Sequence, residues 1–272
     1  MLATLMLLSV LTGIFLFVGW VIAGVSGSVV ALFMAMAINF FSYWYSDKIV
    51  LRMYRAEKLD DERLNKILEN LAKNAKISKP ELYLIKEKVT NEFATGRGPN
   101  KSAIAVTSGL LELDDEEIEG VLAHEIAHIK NRDVLISTIA AAIGGAISFL
   151  AQIGYWMLFL NGERRSEMNI LGLLAIIIFA PLAAFLVRMA ISRNREYKAD
   201  YSGAILCKKP KALASALRKI SAYTERTYIK GPSATSHLWI VNPFKQDWFN
   251  NLFSSHPPIQ KRIEILEEME IV

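Results

Sequence analysis

The chain has 272 residues, 53% of them hydrophobic, and its mean hydropathy is +0.28. Such a composition is too apolar for an ordinary soluble domain and favours a protein that crosses a membrane. The formal net charge of +4 arises largely from lysines and arginines beside the apolar segments, and no basic stripe with interleaved aromatic residues points to a nucleic-acid partner. The single cysteine, Cys207, excludes an internal disulfide.

Four segments without charged side chains are long enough to cross a bilayer, which requires about 20 apolar residues for each helix. They comprise residues 1–23, 28–46, 134–160 and 168–187. We expect two helical hairpins, within residues 1–47 and 134–187, with the stretch from Gly24 to Gly27 connecting the first pair. A signal peptide is the alternative for the first segment, but no basic residue precedes it and a second apolar segment follows at once.

Basic residues flank these hairpins on the sides that face the two polar parts of the chain, residues 48–133 and 188–272. They are Lys48, Arg52, Arg55, Lys130, Arg132, Arg188, Arg193 and Arg195. The short charged loop at 161–167 carries equal numbers of basic and acidic residues. Because lysine and arginine concentrate on the cytoplasmic side, we expect both polar parts to lie in the cytoplasm, beneath the cell membrane.

The first polar part is expected to begin with a helix and to continue with short strands. Apolar residues recur at helical spacing behind Asp60 and Asp61, which predicts an amphipathic helix of about four turns. Three β-prone runs follow Pro80, at 82–85, 91–95 and 103–107, separated by polar turns or turns with glycine and proline. The simplest interpretation is a small antiparallel sheet, and irregular loop is the alternative.

The most informative motif is His124-Glu-Ile-Ala-His128, which holds two of the four histidines. Residues four apart lie on one face of a helix, so both imidazoles can bind a single metal ion. Glu125 stands one step round that surface, where its carboxylate can take a proton from an attacking water. Asp114 and Glu117 have the spacing of a capping box, which predicts that the helix begins there.

Two other residues of this helix have alternative roles. Gly120 either keeps space open beside the metal or permits close packing of another helix, and Asn131 either braces the site or caps a kink. The third apolar segment begins six residues after His128, so a helix that simply continues would place the site about 9 Å from the membrane.

A second helix, after the fourth apolar segment, carries Glu196 and Asp200 four residues apart. Two expected spans separate it from the metal helix, so both helices emerge on the same side of the membrane. Catalytic zinc usually has three protein ligands, and Glu196 completes such a set with His124 and His128. Asp200 is suited to accept the ring N–H of a zinc-binding histidine, and a surface ion pair is the alternative.

The rest of the chain contains two more expected helices with an irregular stretch between them. One helix is predicted over residues 211–223, whereas residues 224–255 show no clear period and favour a long functional loop or lid. His237 in this stretch either faces the cleft or packs beneath the lid. Ser255-His-Pro-Pro258 begins the last helix, whose packed stripe comprises Ile259, Ile263, Leu266 and Met269.

Several motifs together resemble the HtpX-type membrane zinc endopeptidases, relatives of the CaaX prenyl proteases. They are the His-Glu-Ile-Ala-His pentapeptide, Ser192–Asp200, Asn91–Gly96, Ala105–Leu111, Ser236–Trp239 with Asn242–Phe244, and Ser255–Pro258. The likeness extends over nearly the whole chain. It implies a mainly α membrane protein in which four transmembrane helices carry a cytosolic α+β, gluzincin-like protease domain.

The resemblance also implies the chemistry and the partners. It places one Zn²⁺ on His124, His128 and Glu196, with Glu125 as general base. It implies a role in quality control, with damaged or misassembled membrane proteins and unfolded polypeptides as substrates and the lipid bilayer as surroundings.

In this family's fold, an edge strand upstream of the metal helix binds the substrate backbone by strand addition. Asn91, Phe93 and Ala94 are the candidates for that strand here, and an ordinary paired strand is the alternative. Glu92 departs from the family pattern, in which a small residue is common at this position. His256 is a candidate oxyanion donor, although a histidine before two prolines also suits the start of a helix.

Two other functions remain as alternatives. A prenyl-protein protease would use the same chemistry, but four spans enclose little space for a lipid-bearing substrate. A non-catalytic adaptor with structural zinc would usually need a fourth protein ligand, whereas this motif offers a glutamate beside an open position.

Overall fold

The computed structural model describes residues 2–141, 143, 193–224, 226–229, 231, 233–244 and 256–270. Within them the helices are α1 (Leu2–Met53), α2 (Glu62–Ala75), α3 (Asp115–Asn131), α4 (Arg193–Cys207), α5 (Pro210–Thr224) and α6 (Ile259–Glu267). The strands are β1 (Glu57–Lys58), β2 (Glu81–Ile85), β3 (Glu92–Gly98) and β4 (Lys101–Thr107), and 3₁₀ turns cover Ser108–Glu112 and Ser233–Leu238. The predicted second hairpin beyond residue 143, and residues 245–255, lie outside this range.

Helix α1 folds back on itself at Gly24, where the backbone leaves helical geometry with φ +59°. Glycine reaches this left-handed region without a Cβ clash. The two arms lie side by side, because Ser28 Oγ donates a hydrogen bond to the carbonyl of Leu16 at 3.2 Å. Asn39 Nδ2 donates to Thr12 Oγ1 at 2.9 Å, which ties the arms together further along. The chain therefore forms a hairpin at the predicted connection.

The second arm of α1 has the length and composition of a membrane span. Among the described residues, Ala23–Met53 is the helical segment that meets both criteria. Many of its large apolar side chains are exposed, with Val25 at 75% and Phe33 at 67%. An apolar surface of this extent is stable in lipid rather than in water. The helix continues unbroken beyond Asp47, the predicted end of the hairpin, to Met53.

The sheet has four strands in the order β1-β2-β4-β3. Strand β3 pairs antiparallel with β4, and β1 pairs antiparallel with β2, but β2 and β4 are parallel. The prediction of an antiparallel sheet was therefore wrong, because β3 lies outside β4 instead of between β2 and β4. This arrangement makes β3 an edge strand.

Helix α2 contributes the apolar face that the sequence predicted. Asp61 caps it by accepting a hydrogen bond from the Leu64 backbone N–H. Leu64, Leu68 and Leu71 are buried in one core cluster with residues of α3, α5 and the sheet. Burial of each such leucine contributes about 1.5–3 kcal/mol, so this face holds α2 against α3.

Glycines permit close packing of α3 against its neighbours. A Cβ on Gly120 would lie 3.0 Å from the backbone nitrogen of Leu213 in α5. A Cβ on Gly203 of α4 would lie 2.8 Å from the backbone nitrogen of His124. Gly120 therefore serves helix packing, and the alternative of an open space beside the metal was wrong. The contact at Gly203 brings α4 close to the metal-binding helix.

Helix α3 begins with the predicted capping box between Asp114 and Glu117 and ends at Asn131. Arg132 adopts a left-handed conformation with φ +63°, and helical residues resume at 133. The simple continuation of α3 into the next apolar segment does not occur. The break turns the chain and places Asp133 beside His128.

Candidate metal centre

Three side chains from two helices converge in the interior of the polar part. His124 and His128 stand one turn apart on α3, and their Nε2 atoms are 3.1 Å apart. Glu196 of α4 lies opposite, with carboxylate oxygens 3.7 Å from His124 Nε2 and 3.5 Å from His128 Nε2. The structure thus brings together the three residues that were predicted to bind the metal.

The donor atoms of these residues fit a tetrahedral zinc ion. Each residue offers one ligand atom within 4.8 Å of the others. Zinc bonds of ~2.0–2.1 Å at tetrahedral angles separate the ligand atoms by ~3.3 Å, close to the separations observed here. Three protein ligands leave the fourth position for water or substrate, as in catalytic zinc sites.

Charges around the ligands also favour a cation. Burial disfavours the charged form of His128, but the carboxylates of Glu196 and Asp133 outweigh burial and raise its pKa to about 9. Burial acts to raise the pKa of Glu196, yet nearby His128 and Arg262 hold it below its ordinary value. A proton on His128 therefore competes with a metal ion, and metal binding releases that proton.

Asp200 orients the ring of His124. Its Oδ1 lies 2.9 Å from His124 Nδ1, a hydrogen-bonding distance although the ring N–H is not aimed straight at the oxygen. Asp200 is buried, which excludes the surface ion pair considered as the alternative. A carboxylate at Nδ1 favours the tautomer that presents Nε2 to a metal.

Arg262 of α6 holds this carboxylate in place. Its Nε and Nη2 donate to the two oxygens of Asp200, each at 2.8 Å, and its Nη1 donates to the Ile240 carbonyl at 3.0 Å. Burial alone would raise the pKa of Asp200, but the Arg262 guanidinium lowers it well below its usual range. Asp200 therefore stays ionised beside His124.

Asp133 lies beside His128, as Asp200 lies beside His124. Its Oδ2 lies 3.3 Å from His128 Nδ1. Asn131 was the predicted brace, but its Nδ2 is buried without a hydrogen-bond partner in the described part of the chain, and Asn131 does not line the cleft at the metal site. The left-handed conformation of Arg132 explains why Asp133 lies beside His128 instead of Asn131, because it turns Asp133 toward that histidine.

Glu125 is buried next to both histidines. The backbone N–H of Ala94 on β3 lies near its carboxylate and acts to lower the pKa of Glu125. Burial raises the pKa of Glu125 and the Glu196 carboxylate adds to this, while the two histidines act in the opposite direction without cancelling it. A carboxylate with a raised pKa is suited to accept a proton and to release it again.

Glu92 lies close to Glu125, an arrangement that the sequence did not reveal. The side chain is fully buried, and both of its carboxylate oxygens are without hydrogen-bond partners among the described residues. Burial raises the pKa of Glu92 well above its usual range and Glu125 adds to this, although Arg262 opposes it. The surroundings therefore favour the neutral form of Glu92.

The cleft beside the ligands is narrow, with a volume of about 30 Å³. This space holds about one water molecule. The lining residues are Ala94, His124, Glu125, His128, Asp133, Val134, Ser137, Glu196, His237, Leu238, Trp239 and Ile240. Residues 237–240, which we call the covering segment, thus close the cleft. His237 faces the cleft, and its Nε2 lies 3.0 Å from the Ser137 carbonyl oxygen.

The covering segment is packed rather than loose. Trp239 is 1% exposed, and its ring meets those of Tyr54 and Phe93 edge-on at 5.0 and 4.9 Å between centroids. Trp239 Nε1 donates to the Tyr54 hydroxyl at 3.4 Å, and that hydroxyl also forms a hydrogen bond with Thr235. The part of the predicted lid that the structure describes is therefore an ordered 3₁₀ turn and its continuation.

Strand β3 runs along the cleft, and part of its outer edge is hydrogen-bonded to other segments of the chain. The carbonyl of Glu92 accepts a hydrogen bond from Ile240 N at 3.3 Å. Two positions beyond Ala94, Gly96 N donates to Thr138 Oγ1 at 3.2 Å. The backbone groups that a substrate strand would use are thus partly bound to other segments of the same chain.

The three candidates for the substrate strand occupy different surroundings. Ala94 lines the cleft. Phe93 is buried against Trp239 in a second apolar cluster. Asn91 Nδ2 donates to the Val241 carbonyl at 2.7 Å, so Asn91 fixes the chain just beyond the covering segment.

His256 lies near Glu196 but does not line the cleft. It lines a separate cavity of about 520 Å³, together with Arg262 and residues of α5. Burial lowers the pKa of His256, and the Glu196 carboxylate opposes that effect without reversing it. In this structure His256 is therefore positioned beside a ligand and not over the reacting centre.

The roles of Arg262 and Asp133 and the burial of Glu92 were not predicted from the sequence. A signal was present for Arg262, because a basic residue stands between Ile259 and Ile263 on the apolar stripe of the last helix. For Asp133 the only signal was its closeness in sequence to His128. This closeness does not indicate contact between the two side chains if the helix is assumed to continue.

A His–His–Glu set with one buried and two half-buried members and a buried glutamate beside it, on a chain with a candidate membrane span, has the features of a membrane metallopeptidase. Comparison with known proteins identifies which one: residues 58–270 match the description "Peptidase family M48". The chain belongs to this family. It is a metalloprotease, and family M48 enzymes are generally zinc-dependent.

Relatives in bacteria and archaea are similar over nearly the full length. The chain is 48% identical over 279 residues to the "Protease HtpX homolog" of Persephonella marina, covering 98% of this chain and 96% of that protein. It is 48% identical over 271 residues to the homolog of Pyrococcus furiosus, covering 97% and 94%. The predicted likeness to HtpX-type membrane metalloproteases is confirmed.

The crystal structure of S. mikatae Ste24p shares the fold. Its TM-score with this chain is 0.51 at 18% sequence identity. The match covers 98% of this chain and 65% of Ste24p, so the chain spans somewhat less than two thirds of that protein.

Proposed function

We propose that the chain is a zinc endopeptidase that cleaves unfolded polypeptides and damaged or misfolded membrane proteins from the cytoplasmic side of the membrane. The observation that supports this best is the convergence of His124, His128 and Glu196, with Glu125 buried at their side. A His₂Glu set with a neighbouring carboxylate base favours one Zn²⁺ per chain.

In the proposed hydrolytic step, the metal and the side chains have different roles. Zinc, when bound, supplies a Lewis acid that polarises the scissile carbonyl and makes water more acidic. Glu125 accepts the proton of the attacking water and delivers it to the leaving amine, as its raised pKa allows. The Ala94 N–H lies near the Glu125 carboxylate and favours its charged form. Asp200 and Asp133 keep the two histidine rings in the orientation that directs Nε2 inward.

The substrate backbone pairs with the outer edge of β3 at Phe93 and Ala94, and with Asn91, which precedes the strand. Support comes from the hydrogen bond between Ile240 N and the Glu92 carbonyl, which is a contact of the kind an added strand makes. The covering segment must therefore leave this edge before a substrate strand binds. Strand addition recognises the main chain of the substrate rather than particular side chains, so it suits unfolded polypeptides of varied sequence.

His256 acts as oxyanion donor in this proposal only after a movement. Its ring lines the cavity on the other side of Glu196, and it must enter the cleft to reach a developing oxyanion. Opening of the covering segment, which adjoins both cavities at Ile240, is the change that permits this.

The membrane arrangement that we propose has four helices in two hairpins with the metal centre in the cytoplasm. The candidate span Ala23–Met53 and the basic residues beside the apolar segments support it. Labelling intact cells with a membrane-impermeant maleimide tests it: Lys66→Cys should stay unlabelled, and Gly162→Cys should react. The opposite pattern would reverse the orientation.

The enzymatic proposal is tested with the purified full-length protein. Cleavage of an unfolded soluble polypeptide, a destabilised membrane protein and a prenylated peptide is measured with and without a chelator, and bound metal is measured by mass spectrometry. Glu125→Gln should retain zinc and lose activity by about 10²–10⁴-fold, whereas the exposed control Glu69→Gln should be unaffected. Undiminished cleavage by Glu125→Gln would refute the general base, and cleavage of prenylated peptides alone would identify a prenyl-protein protease.

A further inference from the structure

A third cavity lies away from the metal centre, beside the end of the candidate span. Its volume is about 200 Å³. Tyr43 of α1 lines one side, Arg97 and Lys101 line it from the β3–β4 hairpin, and Arg132 lines it from the end of α3. The remaining lining residues, Gly98, Pro99 and Asn100, form the tip of that hairpin.

Three cations therefore share a cavity whose described lining includes no acidic side chain. In the described part of the chain, Arg97, Lys101 and Arg132 make no ion pair with a carboxylate, although many other basic residues do. Like charges that converge without a counter-charge repel one another, and an anion between them removes that cost. The cavity is thus complementary to a small anionic group.

Arg97 is the most constrained of the three cations. Its guanidinium carbon lies 4.5 Å from the ring centroid of Trp44, which holds the planar group against the span. Its Nε is buried and has no hydrogen-bond partner among the described residues. A guanidinium fixed in this way presents its donors in the geometry that binds phosphate oxygens in pairs.

The position of the cavity indicates the source of the anion. Tyr43 and Trp44 belong to the aromatic run at 40–45, and such residues mark the level of the lipid headgroups. Trp44 is 46% exposed on the outer surface of α1, so its ring is available to lipid. An anion at this level, beside a membrane-facing helix, is the phosphate of a phospholipid rather than a free solute.

We propose that this cavity binds the phosphodiester headgroup of an anionic glycerophospholipid, with Arg97, Lys101 and Arg132 as its phosphate ligands. Bound lipid joins three elements, namely the span, the hairpin that contains β3, and the end of the metal-binding helix. It thereby fixes the height of the polar part at the membrane surface. This site is independent of the proposed proteolytic mechanism.

Native mass spectrometry of the full-length protein in detergent tests the proposal, with phosphatidylglycerol and phosphatidylcholine of equal chain length as probes. The pocket variant carries Arg97→Gln, Lys101→Gln and Arg132→Gln. The matched control carries Lys66→Gln, Lys73→Gln and Lys79→Gln, which remove the same charge from exposed positions elsewhere. Wild type and control should prefer phosphatidylglycerol, and the pocket variant should bind it at least about tenfold more weakly.

Two additional measurements extend the test. One distinguishes a loss of lipid binding from a folding defect, and the other distinguishes a lipid site from a site for free phosphate. The single variant Lys101→Gln changes an exposed residue at the start of β4 and should weaken binding by itself, while Arg97→Lys should also weaken it because the planar stacking group is lost. Soluble glycerol phosphate should not displace the lipid at equal concentration. Equal losses in the pocket and control variants, an unchanged pocket variant, or displacement by glycerol phosphate would each overturn the proposal.

Discussion

The guanidinium of Arg262 holds both carboxylate oxygens of Asp200 at 2.8 Å, and both side chains are buried. Asp200 in turn lies 2.9 Å from His124 Nδ1. The last helix of the chain therefore supports a metal-binding histidine through one intermediate carboxylate. Because Arg262 also donates to the Ile240 carbonyl, the same side chain connects the metal centre with the covering segment.

Replacement of Arg262 should damage both stability and metal binding. Arg262→Met leaves the Asp200 carboxylate buried and unpaired, which costs about 3–5 kcal/mol. Loss of an outer-shell partner weakens metal affinity by about 10–100-fold. Thermal unfolding and zinc competition with a chelator measure the two effects.

The control for this change is Arg218→Met, which breaks the exposed pair with Glu267. An exposed pair contributes about 0–1 kcal/mol, so this variant should unfold nearly as wild type does and bind zinc unchanged. Equal effects of the two substitutions would show that Arg262 has no special role at the metal centre.

Asp133 and Asn131 can be distinguished by two conservative substitutions. Asp133→Asn removes the charge that lies 3.3 Å from His128 Nδ1 and should weaken zinc binding by about 10–100-fold. Asn131→Asp or Asn131→Ala should leave zinc affinity within about twofold, since Asn131 Nδ2 has no hydrogen-bond partner among the described residues. Zinc competition at constant pH measures this, and stronger dependence on Asn131 than on Asp133 would contradict the observed turn at Arg132.

Glu92→Gln should stabilise the protein at neutral pH. The pKa of Glu92 is raised in the folded state, so the unfolded chain ionises first as the pH rises above about 4.3. Folded stability therefore falls from that pH upward through the folded-state pKa, and glutamine avoids this loss. The variant should melt a few degrees higher than wild type at pH 7–8, and the advantage should vanish below about pH 4.

The exposed Glu69 on α2 is the matched control for this substitution. Glu69→Gln should show no comparable pH-dependent gain. If Glu92→Gln lowered the melting temperature at pH 7–8, the Glu92 carboxyl would have to be a stabilising ionised group, against the burial that surrounds it.

Tyr54→Phe should loosen the covering segment without disturbing the metal ligands. The substitution removes the hydroxyl that bonds Thr235 and the Trp239 indole, leaving a buried N–H unpaired at a cost of about 1–3 kcal/mol. Hydrogen–deuterium exchange over residues 233–240 should become faster, while zinc affinity stays the same.

Tyr83→Phe is the control, because its hydroxyl donates to the exposed Glu81 and not to a residue of the covering segment. Exchange over residues 233–240 should be unaltered in that variant. Unchanged exchange in Tyr54→Phe would mean that the aromatic packing of Trp239 with Phe93 is sufficient to hold the segment.

Features that depend on neighbouring residues were accessible from the sequence alone. The spacing of His124 and His128, the capping box at Asp114 and Glu117 and the apolar stripe of α2 follow from helical periodicity, which acts within a few residues. The turn near Gly24 follows from glycine and the absence of charge on both sides of it. The motifs shared with the family then indicated that Glu196 acts together with the two histidines, although Glu196 lies 68 residues after His128.

Tertiary structure decided the contacts between side chains that are far apart along the chain. Arg262 and Asp200 are 62 residues apart, and no local pattern relates them. The antiparallel prediction for the sheet failed because strand order depends on how the whole segment packs, not on the strands themselves. A single left-handed residue, Arg132, determined that Asp133 rather than Asn131 reaches His128. The sequence by itself thus determined the candidate ligand set and its helices, whereas close packing determined the residues that orient these side chains, line the cleft and surround Glu92.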